Sequence, residues 1–510
     1  MTPATATDTL CGRPMDEPIG FVDALETLFG RFVVDPISAV LFFDVWFWDD
    51  LPGDPGVNVP IVVLWLLLGA TFFTLRFRFV NLRGFRHGID CARGRYSRPD
   101  DPGEISPFQA LAAALSATVG MGNIAGVAVA VGLGGPGTVF WMVVAGFLGM
   151  SSKFAEVTLA QMYRTVRPDG HVSGGPMHYL GDGLARLGWP RFGASLAVVF
   201  SLMCIGGSLG GGNMFQANQA YAQVASVIPL LDGRAGAIGF GLALAFVVGL
   251  VILGGIRRIG EVAAVIVPFM CALYIACGMW ILLVHAGELG HGLGVIVGQA
   301  FTPDAAYGGF VGVLVQGFRR ACFSNEAGIG SAPIAHSAAA TPEPARQGFV
   351  ALLEPFIDTV IVCHMTGLVC VVTGAYAHPE AGSGIAMTSW AFATVFPWFP
   401  ALLSVTALLF AFSTQISWSY YGEQCWAWLF GVRSSLVYKA LFLFFVWFGS
   451  VSQLERVIEF SDLMILGMAF PNLAGVVLLS GQVKRELDRY WGKLRAGEFE
   501  RSGSAAATTR

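Results

Sequence analysis

Residues 116–130 read Ser-Ala-Thr-Val-Gly-Met-Gly-Asn-Ile-Ala-Gly-Val-Ala-Val-Ala, an apolar helical segment interrupted at its centre by Gly120, Gly122 and Asn123. A helix in lipid must satisfy its own backbone hydrogen bonds, so such a centre is costly unless a polar partner uses it. Interrupted helices at the middle of the bilayer are where secondary transporters hold substrates and ions. The alternative is that the glycines only allow a neighbouring helix to approach closely. The segment alone does not decide between the two.

The composition of the whole chain indicates a polytopic, all-α membrane protein. Of its 510 residues, 55% are hydrophobic and 13% are charged, whereas an average soluble domain has about 25% charged residues. The 40 Phe and 13 Trp suit lipid-facing surfaces and interfacial belts. The nine cysteines show no C-x-x-C or Cys/His ligand spacing, so we expect neither a transition-metal site nor a disulfide framework. The expected partners are the lipid bilayer and a small solute, and not nucleic acid.

Windows of about 19–25 apolar residues predict eleven membrane-spanning helices. They lie near residues 58–79, 107–132, 137–163, 193–225, 236–256, 259–285, 307–340, 348–374, 398–421, 435–452 and 456–481. Residues 19–48 carry five charged side chains, which favours an interfacial amphipathic helix within an extracellular N-terminal segment, 1–57. The predicted transporter domain is 58–485, and 486–510 form a cytoplasmic tail.

Basic residues occur in alternate loops and set the orientation. Residues 76–98 hold seven arginines and 164–191 hold four, whereas the opposite loops 286–306 and 375–388 hold neither Lys nor Arg. Basic loops stay on the cytoplasmic side. The N-terminus is therefore predicted outside and the C-terminus inside a bacterial-type inner (plasma) membrane.

A second interrupted segment lies at residues 318–337, Phe-Arg-Arg-Ala-Cys-Phe-Ser-Asn-Glu-Ala-Gly-Ile-Gly-Ser-Ala-Pro-Ile-Ala-His-Ser. Its charged and amide side chains are expensive in lipid and usually face a cavity or a partner. A re-entrant or cytoplasmic loop is the alternative. The two interrupted segments are the second and seventh spans, and each begins a run of five. Because five is odd, the second run is inserted upside down, which predicts an inverted 5+5 repeat (107–285 and 307–481) behind one extra helix (58–79).

Each interruption offers groups that bind a zwitterion and a cation. The free amides of a half-helix N-terminus favour a carboxylate, and free carbonyls at a half-helix C-terminus favour a cation. The ninth span adds hydroxyls in Phe410-Ala-Phe-Ser-Thr-Gln-Ile-Ser417. Such hydroxyls either complete a sodium site or bond back to the preceding turn of their own helix.

Several further motifs accompany these two segments, in order, between about residues 58 and 485. They are Gly134-Gly-Pro-Gly137, Gly149-Met150, Phe154-Ala-Glu156, Ser173-Gly-Gly-Pro-Met177, Leu353-Glu-Pro-Phe-Ile-Asp-Thr359, Trp418-Ser-Tyr-Tyr-Gly-Glu423 and Pro471-Asn472. With Gly120-Met-Gly-Asn-Ile-Ala-Gly-Val127 and Phe323-Ser-Asn-Glu-Ala-Gly328, the chain resembles the alanine or glycine:cation symporter family. The resemblance implies a leucine-transporter-like fold and uptake of small neutral amino acids driven by Na⁺, or sometimes by H⁺.

The resemblance also implies a role for each motif position. Substrate contacts would come from the amides around Gly120, Met121 and Gly122, from the aromatic lid Phe323, and from Ser324, Asn325 and Thr414. Cation contacts would come from backbone oxygens of Ser116 and Val119, from Ser413 and Thr414, and from Asn123, which faces either an ion or the unwound backbone. The family's commoner residue between the two glycines is Thr, and here it is Met121, which leaves the choice between alanine and glycine open.

The remaining charged residues admit more than one interpretation. Glu354 and Asp358 share a helix face and form either a proton or ion relay or pairs with basic loop groups. Lys153 and Glu156, three apart, predict a structural pair. Arg319 and Arg320 either reach a substrate carboxylate or, as we expect, snorkel or pair with Glu326. A cation-coupled transporter of another small solute is the alternative function. An ion channel would need continuous polar rings, and an enzyme would need a nucleophile, base or metal cluster. The sequence shows neither.

Overall fold

The computed structural model describes residues 35–45, 58–167, 170–301 and 309–499, and these residues are almost entirely helical. The main helices are α1 (Ile61–Arg76), α2 (Pro107–Thr118), α3 (Val127–Gly134), α4 (Gly137–Tyr163), α5 (Pro190–Leu209), α6 (Phe215–Val227), α7 (Gly233–Ile252), α8 (Gly255–Val284), α9 (Gly309–Asn325), α10 (Ala332–Ser337), α11 (Pro344–Ala351), α12 (His364–Val372), α13 (Phe399–Phe430), α14 (Ser435–Val451), α15 (Leu454–Gly467) and α16 (Ala469–Arg495). Shorter helices include Asp35–Leu41, Phe85–Ala92, Leu289–Phe301 and Ile385–Ala393. Strands β1 (Thr165–Val166) and β2 (Val172–Ser173) form an antiparallel pair.

The helices have the length and surface of membrane spans. Within the described residues, eight helical runs are long and apolar enough to cross a bilayer, and nine if α2 and α3 count as one bent span. Large apolar side chains lie on outward faces, with Phe246 68%, Val265 72% and Leu436 70% exposed. Such surface suits lipid and not water. The prediction of a polytopic helical membrane protein is confirmed. The predicted N-terminal segment lies outside the described residues, apart from 35–45.

Helix α2 begins and ends where its sequence requires. Ser106 caps it: the Ser106 hydroxyl accepts from the Gln109 amide at 3.2 Å, and the Gln109 side chain accepts from the Ser106 amide at 2.9 Å. The helical conformation stops at Val119, whose ψ is 89°. A π-helical turn, Gly122–Gly126, then leads into α3, and the two helices are bent by 51°. Such turns are frequent at functional sites.

A second interruption separates α9 from α10. Glu326, Gly328 and Gly330 have φ values of 56°, 89° and 92°, a left-handed conformation that ends α9. A Cβ on Gly330 would lie 2.7 Å from Cγ of Asn472, so glycine is required there by space as well as by conformation. The chain therefore leaves the helical path between the two half-helices.

The packing brings the two interruptions together at the centre of the protein. Helix α2 packs against α8 and α13, and α4 packs against α9, α10 and α11. The turn 122–126 contacts both α9 and a second π-helical segment, Phe356–Cys363. Both breaks thus share one buried environment.

The C-terminal helix extends beyond the predicted last span, 456–481, and continues to Arg495. Tyr490 Oη lies 2.8 Å from His87 Nε2, and Lys493 Nζ lies 2.9 Å from Glu343 Oε1. Burial alone would raise the pKa of Glu343, but hydrogen bonds from Lys493 and Arg489 hold it below its ordinary value. Part of the predicted tail is therefore an ordered helix anchored to the start of α11.

Candidate functional site

Side chains satisfy the free amides at the first break. The backbone amide of Gly120 donates to Asn123 Oδ1 at 2.8 Å, and the amide of Met121 donates to Gln216 Oε1 at 2.9 Å. Gln216 in turn donates to the backbone oxygen of Gly211 at 2.7 Å. Two of the three amides predicted to hold a substrate carboxylate are therefore bonded to amide side chains.

Oxygen atoms converge where α2 ends against α13. Ser116 Oγ donates to the backbone oxygen of Ser413 at 2.5 Å. The Ser413 hydroxyl bonds back to Phe410 of its own helix at 3.0 Å. Thr414 Oγ1, in contrast, is buried without a hydrogen-bond partner among the described residues, and a Cβ on Gly120 would lie 2.4 Å from it. Of the three hydroxyls at this point, from Ser116, Ser413 and Thr414, that of Thr414 is therefore the one available to a ligand.

Phe323 packs over the first break from α9. It is 8% exposed, and its ring meets that of Phe215 edge-on with centroids 6.0 Å apart. A Cβ on Gly122 would lie 3.8 Å from Phe323 Cδ1. The predicted aromatic lid is thus placed directly against the glycines of the first break.

Asp358 joins the two breaks. Its carboxylate accepts from Asn123 Nδ2 at 2.6 Å, from Ser324 Oγ at 3.0 Å and from Thr359 Oγ1 at 2.7 Å. These contacts place Asp358 beside predicted site residues from both segments. Among the described residues Asp358 therefore has polar donors and not the basic loop group of the alternative interpretation.

Asn325 stabilises the second break. Its Nδ2 donates to Thr359 Oγ1 at 2.9 Å, and its Oδ1 accepts from the Ala327 amide at 2.9 Å. Both contacts hold the end of α9. Asn325, one of the predicted substrate contacts, is therefore hydrogen-bonded within the second break.

One predicted charge pairing, Lys153 with Glu156, is wrong, and two of the alternatives left open for other charged residues are not found among the described residues. Lys153 bonds to Glu354, at 2.9 Å, and not to Glu156, and Glu354 pairs with this membrane-embedded lysine and not with a loop group. Arg319 and Arg320 pair with Asp462, at 2.7 and 3.4 Å, and not with Glu326. In each case a more distant part of the chain supplies the partner, because helix packing places it nearer than the residue close in sequence.

Gln216 and Asp462 were missed as contact residues of this region. The sequence does contain a pattern that indicates Gln216. Residues 213–219 carry four side-chain amides within a predicted span (Asn213, Gln216, Asn218 and Gln219). The sequence indicates Asp462 more weakly, as one of two carboxylates (with Glu459) within the last predicted span.

The site is closed to solvent. Ser116, Asn123 and Ser413 are fully buried, and Ser324 and Thr414 are 3% and 1% exposed. A cavity of about 510 Å³ lies elsewhere, between the β1–β2 pair, the start of α8 and the end of α13. The predicted site residues do not line it. The predicted site residues are therefore enclosed between the two interrupted helices.

Comparisons with known proteins identify relatives along most of the chain. The sequence profile of a family described as the sodium:alanine symporter family matches residues 54–503. The sodium/alanine symporter AgcS of Methanococcus maripaludis is 40% identical over 433 residues, which covers 84% of this chain and 93% of AgcS. A Bacillus subtilis protein named "probable sodium/glutamine symporter GlnT" is 35% identical, covering 86% and 89% of the two chains.

A solved structure shares the fold. The crystal structure of MhsT in complex with L-phenylalanine matches with a TM-score of 0.51 and 15% identity, covering 74% of this chain and 89% of MhsT. MhsT has the leucine-transporter-like fold, so the predicted fold type is confirmed at this level.

Proposed function

Since this chain belongs to the sodium:alanine symporter family, we propose that it imports a small neutral amino acid of the alanine or glycine class together with a cation, Na⁺ in preference to H⁺. The observation that carries the proposal is the meeting of a broken helix with the free hydroxyl of Thr414 in a closed site. Oxygen ligands of this kind suit a hard cation. Two of the relatives are named for alanine and for glutamine, which differ in side-chain size. The preferred size of the substrate is therefore part of the test.

We propose eleven spans arranged as one helix followed by an inverted 5+5 repeat. The nine candidate spans are completed by the shorter helix α1 and by the pair α9 and α10. The contact between the turn 122–126 and α9 supports pairing of the two breaks. The alternating basic loops support an extracellular N-terminus and a cytoplasmic C-terminus in an inner (plasma) membrane.

The substrate carboxylate would bind the amides of Gly120, Met121 and Gly122. Because Gln216 accepts from the Met121 amide at 2.9 Å, a carboxylate reaching that amide displaces the Gln216 side chain. Gln216 thereby keeps the amide satisfied when no substrate is bound, which lowers the cost of a buried free N–H. Phe323 then covers the amino acid, beside Ser324 and Asn325.

The cation would bind where α2 ends. Backbone oxygens of Ser116 and Val119, the pair Ser413 and Thr414, and Asn123 near Asp358 supply the donors. Helix α2 directs its C-terminal end, with its partial negative charge, at this point. Cation binding thus joins α2 to α13, and closure of the site requires both solutes.

We expect Thr414→Ala to raise the sodium concentration for half-maximal alanine uptake by about tenfold or more, since a contact to a charged group is worth about 1.5–3 kcal/mol. The measurement is radiolabelled alanine uptake in proteoliposomes across a sodium series. Thr414→Ser keeps the hydroxyl and should stay near wild type. Ser419→Ala is the matched control, because the Ser419 hydroxyl already bonds to Ile416 of its own helix at 2.7 Å.

Equal accumulation of alanine in wild-type proteoliposomes with and without a sodium or proton gradient would exclude symport. An unchanged sodium dependence in Thr414→Ala would show that the cation does not bind at α13. A panel of glycine, alanine and glutamine as competitors, repeated with Met121→Thr, measures whether position 121 sets the preferred size.

A further inference from the structure

A second group of ionisable side chains is buried beneath the second break. It lies between α4, α10, α11 and the turn that joins α9 to α10. Its members are Lys153, Glu156, Glu326, His336 and Glu354, all at most 2% exposed. Three carboxyl groups therefore share this region with one ammonium group.

Only one of the three carboxylates is neutralised by the lysine. Lys153 Nζ lies 2.9 Å from Glu354 Oε1, and His336 Nε2 lies 3.5 Å from Glu354 Oε2. A buried ionised group is very costly unless it is paired and hydrogen-bonded. Glu156 and Glu326 must therefore be stabilised in another way.

Glu326 and Glu156 differ in the number of hydrogen bonds that their carboxyl oxygens accept. Both oxygens of Glu326 accept a hydrogen bond, from Trp418 Nε1 at 3.1 Å and from the Ser331 hydroxyl. Glu156 Oε1 accepts from Asn472 Nδ2 at 2.7 Å, but its fully buried Oε2 makes no hydrogen bond to any residue that the structure describes. Glu156 is thus the least compensated carboxyl group of the set.

Glu156 is also tied to the second break. Asn472 Nδ2, its partner, donates to the backbone oxygen of Gly328 at 2.9 Å, and the Tyr179 hydroxyl donates to Asn472 Oδ1. One amide therefore links the Glu156 carboxyl to the left-handed turn of the second break. A change of charge on Glu156 acts directly on that turn.

We propose that Glu156 is a proton-binding site that controls the second break. In the closed state a proton is bound to Glu156 Oε2, and the neutral acid remains buried beside Asn472. When the turn at Gly328 opens, water reaches the carboxyl group, and the proton leaves to water as the carboxylate forms. Proton binding therefore favours closure. The inference rests on the proposed symport function and adds a proton to its cycle.

Groups from every packed element face this carboxyl group and set the field around it. They are Lys153 of α4, Cys322 of α9, Glu326 and the Gly328 amide of the turn, Glu354 after α11, His336 of α10 and Tyr179. Lys153 is the single cation among those named, and it is bonded to Glu354. Because the charge of Lys153 is shared with Glu354, Glu156 has no cation of its own among these groups.

The test compares sodium-driven alanine uptake from about pH 6 to pH 9 in wild type and Glu156→Gln. A single titrating group changes its protonated fraction about tenfold per pH unit above its pKa. We expect wild-type uptake to fall steeply at the alkaline end, and Glu156→Gln, which mimics the neutral acid, to change less than about twofold. Glu288→Gln, which removes an exposed carboxyl group, should keep the wild-type profile.

Infrared difference spectroscopy provides a readout that does not depend on transport. Wild type at neutral pH should show the carbonyl stretch of a protonated carboxylic acid, and Glu156→Gln should lose it. An unchanged pH profile with an unchanged band would overturn the proposal. So would misfolding of Glu156→Gln beside a folded Glu156→Asp, because the site would then need the anion. Absence of sodium-driven uptake in wild type, with the band present, would reject the proposed symport and retain the proton site.

Discussion

Gly120→Ala is expected to reduce amino acid uptake to background. The added Cβ would lie 2.4 Å from Thr414 Oγ1 and 2.9 Å from Gln216 Oε1, closer than real carbon atoms approach. Relief requires movement of both side chains, and these are the groups proposed to bind the cation and to release the Met121 amide. The overpacking costs about 1–3 kcal/mol, and it occurs where both solutes are proposed to bind. The measurement is radiolabelled alanine uptake at saturating sodium, with gel filtration to verify folding.

Two other glycines of the same segment provide the controls. A Cβ on Gly126 would meet nothing within 4 Å, so Gly126→Ala should retain most of the wild-type uptake. Gly122→Ala places its methyl group in ordinary contact with Phe323, at 3.8 Å, and should reduce uptake less than Gly120→Ala does. Comparable losses in all three variants would show that helix flexibility, and not contact at Gly120, limits transport.

Lys153→Met is expected to destabilise the protein by about 3–5 kcal/mol, because removal of one partner leaves a buried, uncompensated charge. Lys153 and Glu354 are both fully buried and 2.9 Å apart. The change should appear as a marked fall in the thermal unfolding midpoint of the detergent-purified protein.

A double variant separates loss of charge from loss of shape. Lys153→Met combined with Glu354→Gln removes both charges and should recover much of the lost stability, since a neutral pair avoids the buried anion. Lys484→Met removes the exposed ion pair with Asp488 and should cost about 0.5 kcal/mol or less. A double variant as unstable as Lys153→Met would show that packing of the lysine stem, and not its charge, stabilises this region.

The positions of both breaks could be predicted because they depend on local sequence. Glycines at 120 and 122, and at 328 and 330, interrupt runs that are otherwise apolar, and backbone conformation responds to them within a few residues. The capping box at Ser106 marks the start of α2 in the same local way. The hydroxyls of α13 were also visible, although only the packing shows that Thr414 and not Ser413 is free of its own helix.

The partners of the charged residues could not be predicted because they depend on how distant helices pack. The spacing of Lys153 and Glu156 places them on one helix face, which is a sound local argument. The lysine instead bonds to Glu354, 201 positions away, because that carboxylate enters from the short helix Leu353–Pro355 after α11 and the low-dielectric interior strengthens the pair. The contacts of Asp358 with Asn123 and Ser324 also require three separate segments to meet.

The last helical run is long, and its C-terminal end has a fixed position in the protein. It extends over 39 residues from Val457 to Arg495, which corresponds to about 58 Å at 1.5 Å per residue, or about twice the thickness of the hydrocarbon layer. Its far end is fixed by Tyr490 against His87. A fluorophore or spin label placed near Arg495 would therefore be held at a defined height above the bilayer. The distance between this label and a second label would report movement of helices and not flexibility of the segment that carries the label.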